Sequence, residues 1–232
     1  MFRRRLVIAA STMALGLGAG ASLAAAQETS GGSSPTTGTV APPRPPSVAL
    51  GVPWCGHLLN GVALPPVGRG FFTWDFPLRR APNRYWRRYG TARLLALVQR
   101  VMSAYADAHP GLPRIGIADL SLPRGGPFGE RYGGVGHLSH QNGLDVDVLY
   151  PRRDRTERPA RYAWEVDAAL AQDLLNRFVA AGVEHVFIGY RVRVYGRWPR
   201  VARAAFHDDH MHVRIRPLRP VRAPLRCPWR AT

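Results

Sequence analysis

Lysine is absent from this 232-residue sequence, and acidic residues are few. All 32 basic residues are arginines against 15 acidic residues, which gives a formal net charge of +17. An excess of this size favours association with a polyanion. The arginines are spread along the chain, however, and do not form the aromatic-interleaved basic clusters that are typical of single-strand binders. The composition therefore favours an anionic polymer other than nucleic acid.

A long apolar run occurs only at the beginning of the chain. A basic head is followed by an apolar stretch at residues 6–23 and by alanines 24–26, which is the order of a secretory signal peptide. A membrane anchor is the alternative, but serine, threonine and glycine interrupt the stretch and an Ala-x-Ala site ends it. We expect a signal peptide at 1–26, cleavage after Ala26, secretion to the periplasm or the cell wall, and no stable membrane insertion.

Large apolar side chains are nearly absent from residues 27–46, which are rich in Ser, Thr, Gly and Pro. Such a segment cannot bury enough surface to offset the entropy that is lost on ordering. We predict a flexible linker at 27–46 and a single domain at 47–232, which is long enough for one hydrophobic core. The sequence leaves the oligomeric state open.

Cysteine is scarce as well, because only Cys55 and Cys227 are present. In an exported chain, an even count with one cysteine near each end of the domain favours a disulfide between them. Two free thiols or a pair of metal ligands are weaker alternatives, since neither cysteine lies in a Cys-x-x-Cys spacing.

Helical and strand patterns alternate through the domain. Residues 47–90 have no steady period and predict an irregular wrap on the core. Thr91 begins a strongly amphipathic helix that ends before Pro110, and a second helix is predicted from about Trp164 to Ala181. Strands are predicted at residues 114–122, 144–150, 185–190, 191–195 and 207–216. This order favours an α+β fold with a mostly antiparallel sheet flanked by helices.

Two of these strands carry polar groups on one face. In the strand at 144–150, Asp145 and Asp147 alternate with apolar residues, which predicts a half-buried strand with exposed carboxylates. In the last strand His210 and His212 point to one face, and the residues between them point to the other. Two imidazoles therefore project side by side from a strand with a buried back.

Histidines cluster around these strands. Of eight histidines, five fall in two groups at 137–140 and 207–212. Zinc in hydrolases is commonly held by three histidine or carboxylate ligands that leave one position open, and His140, Asp147 and His212 are candidates for this set. A lone histidine is more often structural, and we assign that role to the three remaining histidines, His57, His109 and His185.

The strings GHLSHQNGLDVDV at 136–148 and HDDHMHVRI at 207–215 resemble those of the penicillin-insensitive murein endopeptidases. These enzymes belong to a metallopeptidase superfamily with lysostaphin-type enzymes, D-Ala-D-Ala carboxypeptidases and hedgehog domains. The resemblance extends more loosely over residues 114–215. It implies a hedgehog- or DD-peptidase-like sheet that carries a zinc site, within a zinc peptidase domain at 47–232.

Residue by residue, the resemblance makes His140, Asp147 and His212 the Zn²⁺ ligands. It makes His210 the catalytic histidine and His207 a second imidazole near the scissile bond. Three further residues are expected to line the site or to contact substrate, namely His137, Ser121 and Arg124. Two features depart from the family pattern: Ala204 stands where the family carries a tryptophan, and one disulfide replaces several.

The resemblance implies hydrolysis of the peptide cross-links of peptidoglycan, between D-alanine and diaminopimelate. Because no serine nucleophile is needed, β-lactams are not expected to inhibit this reaction. The alternatives are a D,D-carboxypeptidase that acts on stem peptides and a noncatalytic zinc-containing module that binds the cell wall. The arginine-rich composition fits peptidoglycan, an anionic cell-wall polymer, as the partner.

Overall fold

The computed structural model describes residues 45–129, 137–218 and 227. The predicted signal peptide at 1–26 and residues 27–44 of the predicted linker lie outside the described residues. The helices are α1 (Ala92–Ala108) and α2 (Ala168–Ala180). The strands are β1 (Val48–Val52), β2 (Cys55–Leu59), β3 (Val62–Ala63), β4 (Val67–Gly68), β5 (Phe71–Thr73), β6 (Tyr89–Gly90), β7 (Ile115–Ile117), β8 (Asp145–Leu149), β9 (His185–Ile188), β10 (Val201–Arg203) and β11 (His210–Arg214).

Seven strands form the main sheet in the order β10-β9-β11-β8-β7-β5-β4. The β10–β9 and β5–β7 pairs are parallel, and the other four neighbouring pairs are antiparallel. Strands β8 and β11 lie side by side near the centre, although about 60 residues separate them in sequence. The prediction of an α+β fold with a mostly antiparallel sheet is confirmed.

Helix α1 forms where its periodicity predicts it. The Thr91 side chain accepts a hydrogen bond from the backbone N–H of Leu94 and caps the first turn. All six apolar residues of the predicted face are buried, namely Leu94, Leu95, Val98, Val101, Met102 and Tyr105. Helix α2 begins later than predicted, at Ala168 with Asp167 as its cap, and a 3₁₀ turn at Ala163–Glu165 precedes it.

The two helices and one face of the sheet share the main hydrophobic core. Val146 and Val148 of β8, and Met211 and Val213 of β11, belong to the same buried cluster as the apolar faces of α1 and α2. Because side chains alternate along a strand, the opposite face of β8 and β11 carries the aspartates, histidines and Arg214. The sheet therefore separates an apolar layer from a polar one. Among the described residues, no helix combines the length and the apolarity needed to cross a bilayer.

Several local predictions need correction. Residues 47–90 are not an irregular wrap, because they contain β1 to β6, whose lengths of two to five residues are too short to show a period. The strand predicted at 114–122 is restricted to Ile115–Ile117.

The strand predicted at residues 191–195 does not form, and the edge strand β10 lies further along the chain. The guanidinium group of Arg203 donates hydrogen bonds to the backbone carbonyls of Gly189, Val192 and Val194. A side chain thus satisfies carbonyls that a neighbouring strand would otherwise bind.

A disulfide joins Cys55 in β2 to Cys227, with 5.6 Å between their Cα atoms. The two cysteines are 172 positions apart, so the bridge closes almost the whole domain. A cross-link over so long a loop removes much of the entropy of the unfolded chain.

We expect the double substitution Cys55→Ser with Cys227→Ser to lower the free energy of unfolding by up to about 5 kcal/mol, because the unfolded chain regains the entropy of the open loop. Guanidinium denaturation of both proteins, with and without reductant, measures the loss. Reductant should destabilise the parent chain and leave the double variant unchanged. Two titratable thiols in the denatured, unreduced parent chain would contradict the bridge.

Candidate metal centre

The register of β8 and β11 places acidic and basic side chains opposite one another. His212 pairs with Asp147 across the two strands, and Arg214 pairs with Asp145. The carboxylates are not exposed as the alternation predicted, since Asp145 and Asp147 are 0% and 1% exposed. Loop residues and β11 side chains cover the polar face, and the charges of those side chains compensate the buried carboxylates.

Three imidazoles surround one oxygen of Asp147. Asp147 Oδ1 lies 3.1 Å from His212 Nδ1, 3.3 Å from His140 Nε2 and 3.6 Å from His210 Nε2. Burial alone would raise the pKa of Asp147, but the neighbouring His140 and His210 outweigh burial and hold this pKa well below its usual range. The carboxylate is therefore anionic and is enclosed by nitrogen donors.

The backbone of His140 directs its ring into this cluster. His140 adopts a φ of 68°, which is uncommon for a residue other than glycine. Its backbone N–H donates to Asp145 Oδ2 at 2.9 Å, and its Nδ1 lies 2.7 Å from the carbonyl oxygen of Leu120. Because Nδ1 is engaged, Nε2 remains to face Asp147, an arrangement typical of metal-binding histidines.

Asp145 holds the other side of the cluster. Arg214 Nε donates to its Oδ1 at 2.6 Å, and a second guanidinium nitrogen lies 3.3 Å from Oδ2. Burial would raise the pKa of Asp145, but the positive charge of Arg214 keeps it well below its usual range. His212 Nε2 lies 3.2 Å from Asp145 Oδ1 but forms no hydrogen bond of acceptable geometry. His212 is thus positioned between the two carboxylates.

His137 approaches from the loop and is held by a second acidic residue. Its Nε2 lies 2.9 Å from Asp119 Oδ2. Asp119 also accepts hydrogen bonds from Arg87 Nε at 2.6 Å and from Asn83 Nδ2 at 3.1 Å. Burial would raise the pKa of Asp119, but the hydrogen bonds from His137 and Arg87 lower it to about 2.

Donor atoms of His137, His140 and Asp147 lie within 4.8 Å of one another, so this group could hold a metal ion. Imidazole nitrogens with a carboxylate oxygen form a donor set that suits zinc. His212 Nδ1 also faces Asp147, so His137 and His212 are both candidates for the third ligand. The predicted set of His140, Asp147 and His212 is brought together, and the ligand roles stay a prediction.

The two histidines predicted for catalysis differ in their surroundings. His210 Nδ1 lies 2.6 Å from Asp209 Oδ1. Burial would lower the pKa of His210, but the charges of Asp147 and Asp209 raise it to about 9. Burial and the neighbouring His210 lower the pKa of His207 to about 4, so His207 is neutral at neutral pH.

An open pocket of about 620 Å³ lies over this cluster. Histidines 137, 140, 207, 210 and 212 line it together with Asp147. Leu138 and Phe206 at its rim are 76% and 91% exposed. Ser121 and Arg124 do not line the pocket: Ser121 is fully buried, and Arg124 lies at the surface.

Sequence reasoning missed three acidic residues that contact the histidines. Asp145 alternates with Asp147, and Asp209 is adjacent to His210, so the positions of both in the sequence could have indicated a place near the site. No short-range pattern indicates Asp119, because its contacts with His137 and Arg87 span 18 and 32 residues of sequence.

A sequence model of the family described as penicillin-insensitive murein endopeptidase matches residues 49–188, more than half of the chain. The chain belongs to this family. The match includes His137, His140 and Asp147 and ends before β10 and β11.

Individual members of the family are also similar to this chain. A penicillin-insensitive murein endopeptidase of Haemophilus influenzae is 34% identical over 93 residues, or 40% of this chain and 28% of the relative. The Pectobacterium atrosepticum protein of the same name is 26% identical over 188 residues, which are 69% of this chain and 63% of the relative. A protein of the same name from Escherichia coli is 29% identical over 157 residues, which are 56% of this chain and 54% of the relative. The chain thus covers less than two thirds of each of these relatives.

Alanine substitutions distinguish the two candidates for the third ligand. We expect His212→Ala to lose stoichiometric zinc, because His212 Nδ1 is directed at Asp147. His137→Ala should retain zinc, because His137 Nε2 is already engaged by Asp119. The measurement is zinc per chain after exhaustive dialysis, with His185→Ala as a control that lies outside the cluster. Loss of zinc from His137→Ala alone would assign the third ligand to His137 instead.

Proposed function

We propose that this chain is a zinc-dependent murein endopeptidase that hydrolyses peptide cross-links of peptidoglycan. The observation that carries the proposal is the convergence of three imidazole nitrogens on Asp147 Oδ1, under an open pocket, in a chain of the murein endopeptidase family. The bond proposed is the one between D-alanine and diaminopimelate. This activity requires an extracytoplasmic location, which fits the predicted signal peptide.

His140, Asp147 and His212 would hold the metal, in agreement with the donor chemistry of the cluster. When bound, a zinc ion polarises a carbonyl group and makes water more acidic. Asp145 and Arg214 keep His212 and the His140 backbone in place, since both contact Asp145. The chain therefore orients its ligands through an ion pair that does not itself need the metal.

His210 is proposed as the general base. Asp209 engages its Nδ1, which leaves Nε2 directed toward the pocket and Asp147. A cation at Asp147 would offset one of the negative charges that raise the pKa of His210, another being that of Asp209, and would so favour the neutral imidazole that a general base needs. The proton taken from water would reside on His210 Nε2, which can then deliver it to the leaving nitrogen as the C–N bond breaks.

His207 is proposed to act at the leaving amine. Its Nδ1 lies 2.5 Å from the carbonyl oxygen of Ala205, so Nδ1 carries the hydrogen and Nε2 is an acceptor. An acceptor nitrogen in a neutral ring can receive a hydrogen bond from a substrate N–H group. It cannot donate to a developing oxyanion, so this tautomer favours a role on the amine side of the scissile bond.

A D,D-carboxypeptidase is the main enzymatic alternative, and it requires a cation free to bind a terminal carboxylate. Among the described residues, Arg214 is the one arginine that lines the pocket, and Asp145 already occupies its guanidinium group. A noncatalytic wall-binding module needs neither His207 nor His210 beside a structural metal. The pairing of Arg214 with Asp145 and the presence of both histidines at the pocket therefore favour the endopeptidase.

We expect the chain without its predicted signal peptide to cut the peptide cross-links of purified sacculi, so that cross-linked muropeptides are replaced by uncross-linked ones. A chelator should abolish this conversion. His210→Ala should retain zinc and slow turnover by about 10²–10⁴-fold, the usual effect of losing a general base. Ser139→Ala is the matched control, because Ser139 also lines the pocket and the mechanism gives it no role. Chromatography and mass spectrometry of the soluble products measure both rates.

Penicillin should leave the rate unchanged, since the reaction uses no acyl-serine. Inactivation by Ser139→Ala or by penicillin would reject the metal-dependent mechanism. Release of terminal D-alanine without cleavage of cross-links would assign the carboxypeptidase activity instead.

A further inference from the structure

A second pocket, of about 750 Å³, lies next to the candidate metal centre. Asp208 lines this second pocket, and the adjacent His207 lines the first. The Asp208 carboxylate accepts a hydrogen bond from the backbone N–H of Arg191 at 3.0 Å, which ties the two sides of the second pocket together. The linings of the two pockets therefore meet at His207 and Asp208.

Exposed arginines dominate the lining of the second pocket. In the described part of the chain, none of its four guanidinium groups forms an ion pair with a carboxylate, although nine other arginines do. The four residues are Arg153, Arg161, Arg191 and Arg193. Guanidinium groups without a carboxylate partner can bind one through two parallel hydrogen bonds. Two of the four have other contacts: Arg153 Nε donates to the carbonyl oxygen of Val166, and the Arg161 guanidinium lies 5.4 Å from the centroid of the Tyr162 ring.

An aromatic platform completes the second pocket. The rings of Tyr162 and Trp164 are stacked, with 5.8 Å between centroids and 10° between planes. They are 48% and 72% exposed, so the stack is not part of the core. Flat aromatic surfaces of this kind offer apolar area to the CH face of a sugar ring.

The platform is preorganised by the buried Arg152. Arg152 donates to Glu165 Oε2 at 2.7 Å and to Asp154 Oδ2 at 2.5 Å. Glu165 Oε2 in turn accepts from the backbone N–H groups of Arg161 and Tyr162. Arg153 adds a further tie, since its Nε donates to the carbonyl oxygen of Val166 at 3.0 Å. The segment that carries the platform is thus held by side-chain hydrogen bonds before any ligand binds, and such preorganisation lowers the cost of binding.

We propose that the second pocket is an accessory site for the glycan strand of peptidoglycan, with sugar rings on the Tyr162–Trp164 platform and stem-peptide carboxylates on the arginines. The inference rests on the proposed function. It deepens that function by assigning a recognition site for polymeric substrate apart from the metal centre. Sugar and carboxylate together match the two surfaces of this pocket better than either group alone.

Two double variants test the accessory site, each measured for binding to sacculi freed of protein and of phosphate polymers. Tyr162→Ala with Trp164→Ala removes the platform, and Arg191→Gln with Arg193→Gln removes two charges. Each should weaken binding in a pelleting assay at 4 °C by about tenfold or more, as expected for loss of charged hydrogen bonds or stacking. Arg80→Gln with Arg100→Gln removes the same charge elsewhere on the surface and should bind like the parent chain.

Cleavage of a small, soluble cross-linked muropeptide dimer provides the second readout. Both pocket variants should cleave it at the parental rate, because it is too short to need the accessory site, whereas cleavage of sacculi should slow. Trp164→Phe alone should retain binding, since it keeps an aromatic face. Thermal unfolding verifies that each variant is folded.

Equal loss of binding in the Arg80 and Arg100 control would reduce the effect to net charge and overturn the proposal. Parental binding by both pocket variants would do so as well, and so would stronger competition by single-stranded DNA or a phosphate polymer than by stem-peptide-bearing glycan fragments. If the parent chain binds sacculi through this pocket but cleaves nothing, the accessory site stands and the proposed hydrolysis fails.

Discussion

Two aspartates lie on a strand that is covered on both faces, and a buried carboxylate is stable as an anion only when it is paired. Strand β11 provides the partners at matching register, with Arg214 opposite Asp145 and His212 opposite Asp147. A shift of β11 by one residue would place Met211 and Val213 against the carboxylates and turn the imidazoles toward the helices. The pairing of one pair of strands therefore determines the polar cluster and the hydrophobic core together.

The two carboxylates have partners of different kinds. Asp145 faces a guanidinium group, which does not lose its proton in proteins, so this pair is permanent. Asp147 faces imidazoles, which unlike a guanidinium group can give up a proton and bind a metal instead. Of these two residues on one strand, Asp145 thus stabilises the structure through a permanent ion pair, whereas Asp147 can exchange its partners for a metal.

The sequence predicted those features that short-range patterns encode. Helix α1 follows from its apolar period and the Thr91 cap, and the polar face of β11 follows from strict alternation. Alternation indicates which face a side chain occupies but not what covers that face, so the burial of Asp145 was not foreseen. Apolar and polar residues also alternate at 191–195, yet no strand forms there, because the side chain of Arg203 binds the carbonyls of Val192 and Val194. Local alternation does not indicate a contact with a residue about ten positions away. The link from Arg87 through Asp119 to His137 was missed for the same reason.

The bridge between Cys55 and Cys227 encloses every element from β3 to β11 in one covalent ring. In a linear chain, a single proteolytic cut in a surface loop can separate the fragment that carries Asp147 from the one that carries His212. In a ring, the same cut leaves both fragments in one molecule, and their strands stay at high effective concentration. A nicked molecule can thus keep β8 and β11 paired, which makes the arrangement around Asp147 tolerant of damage to the loops.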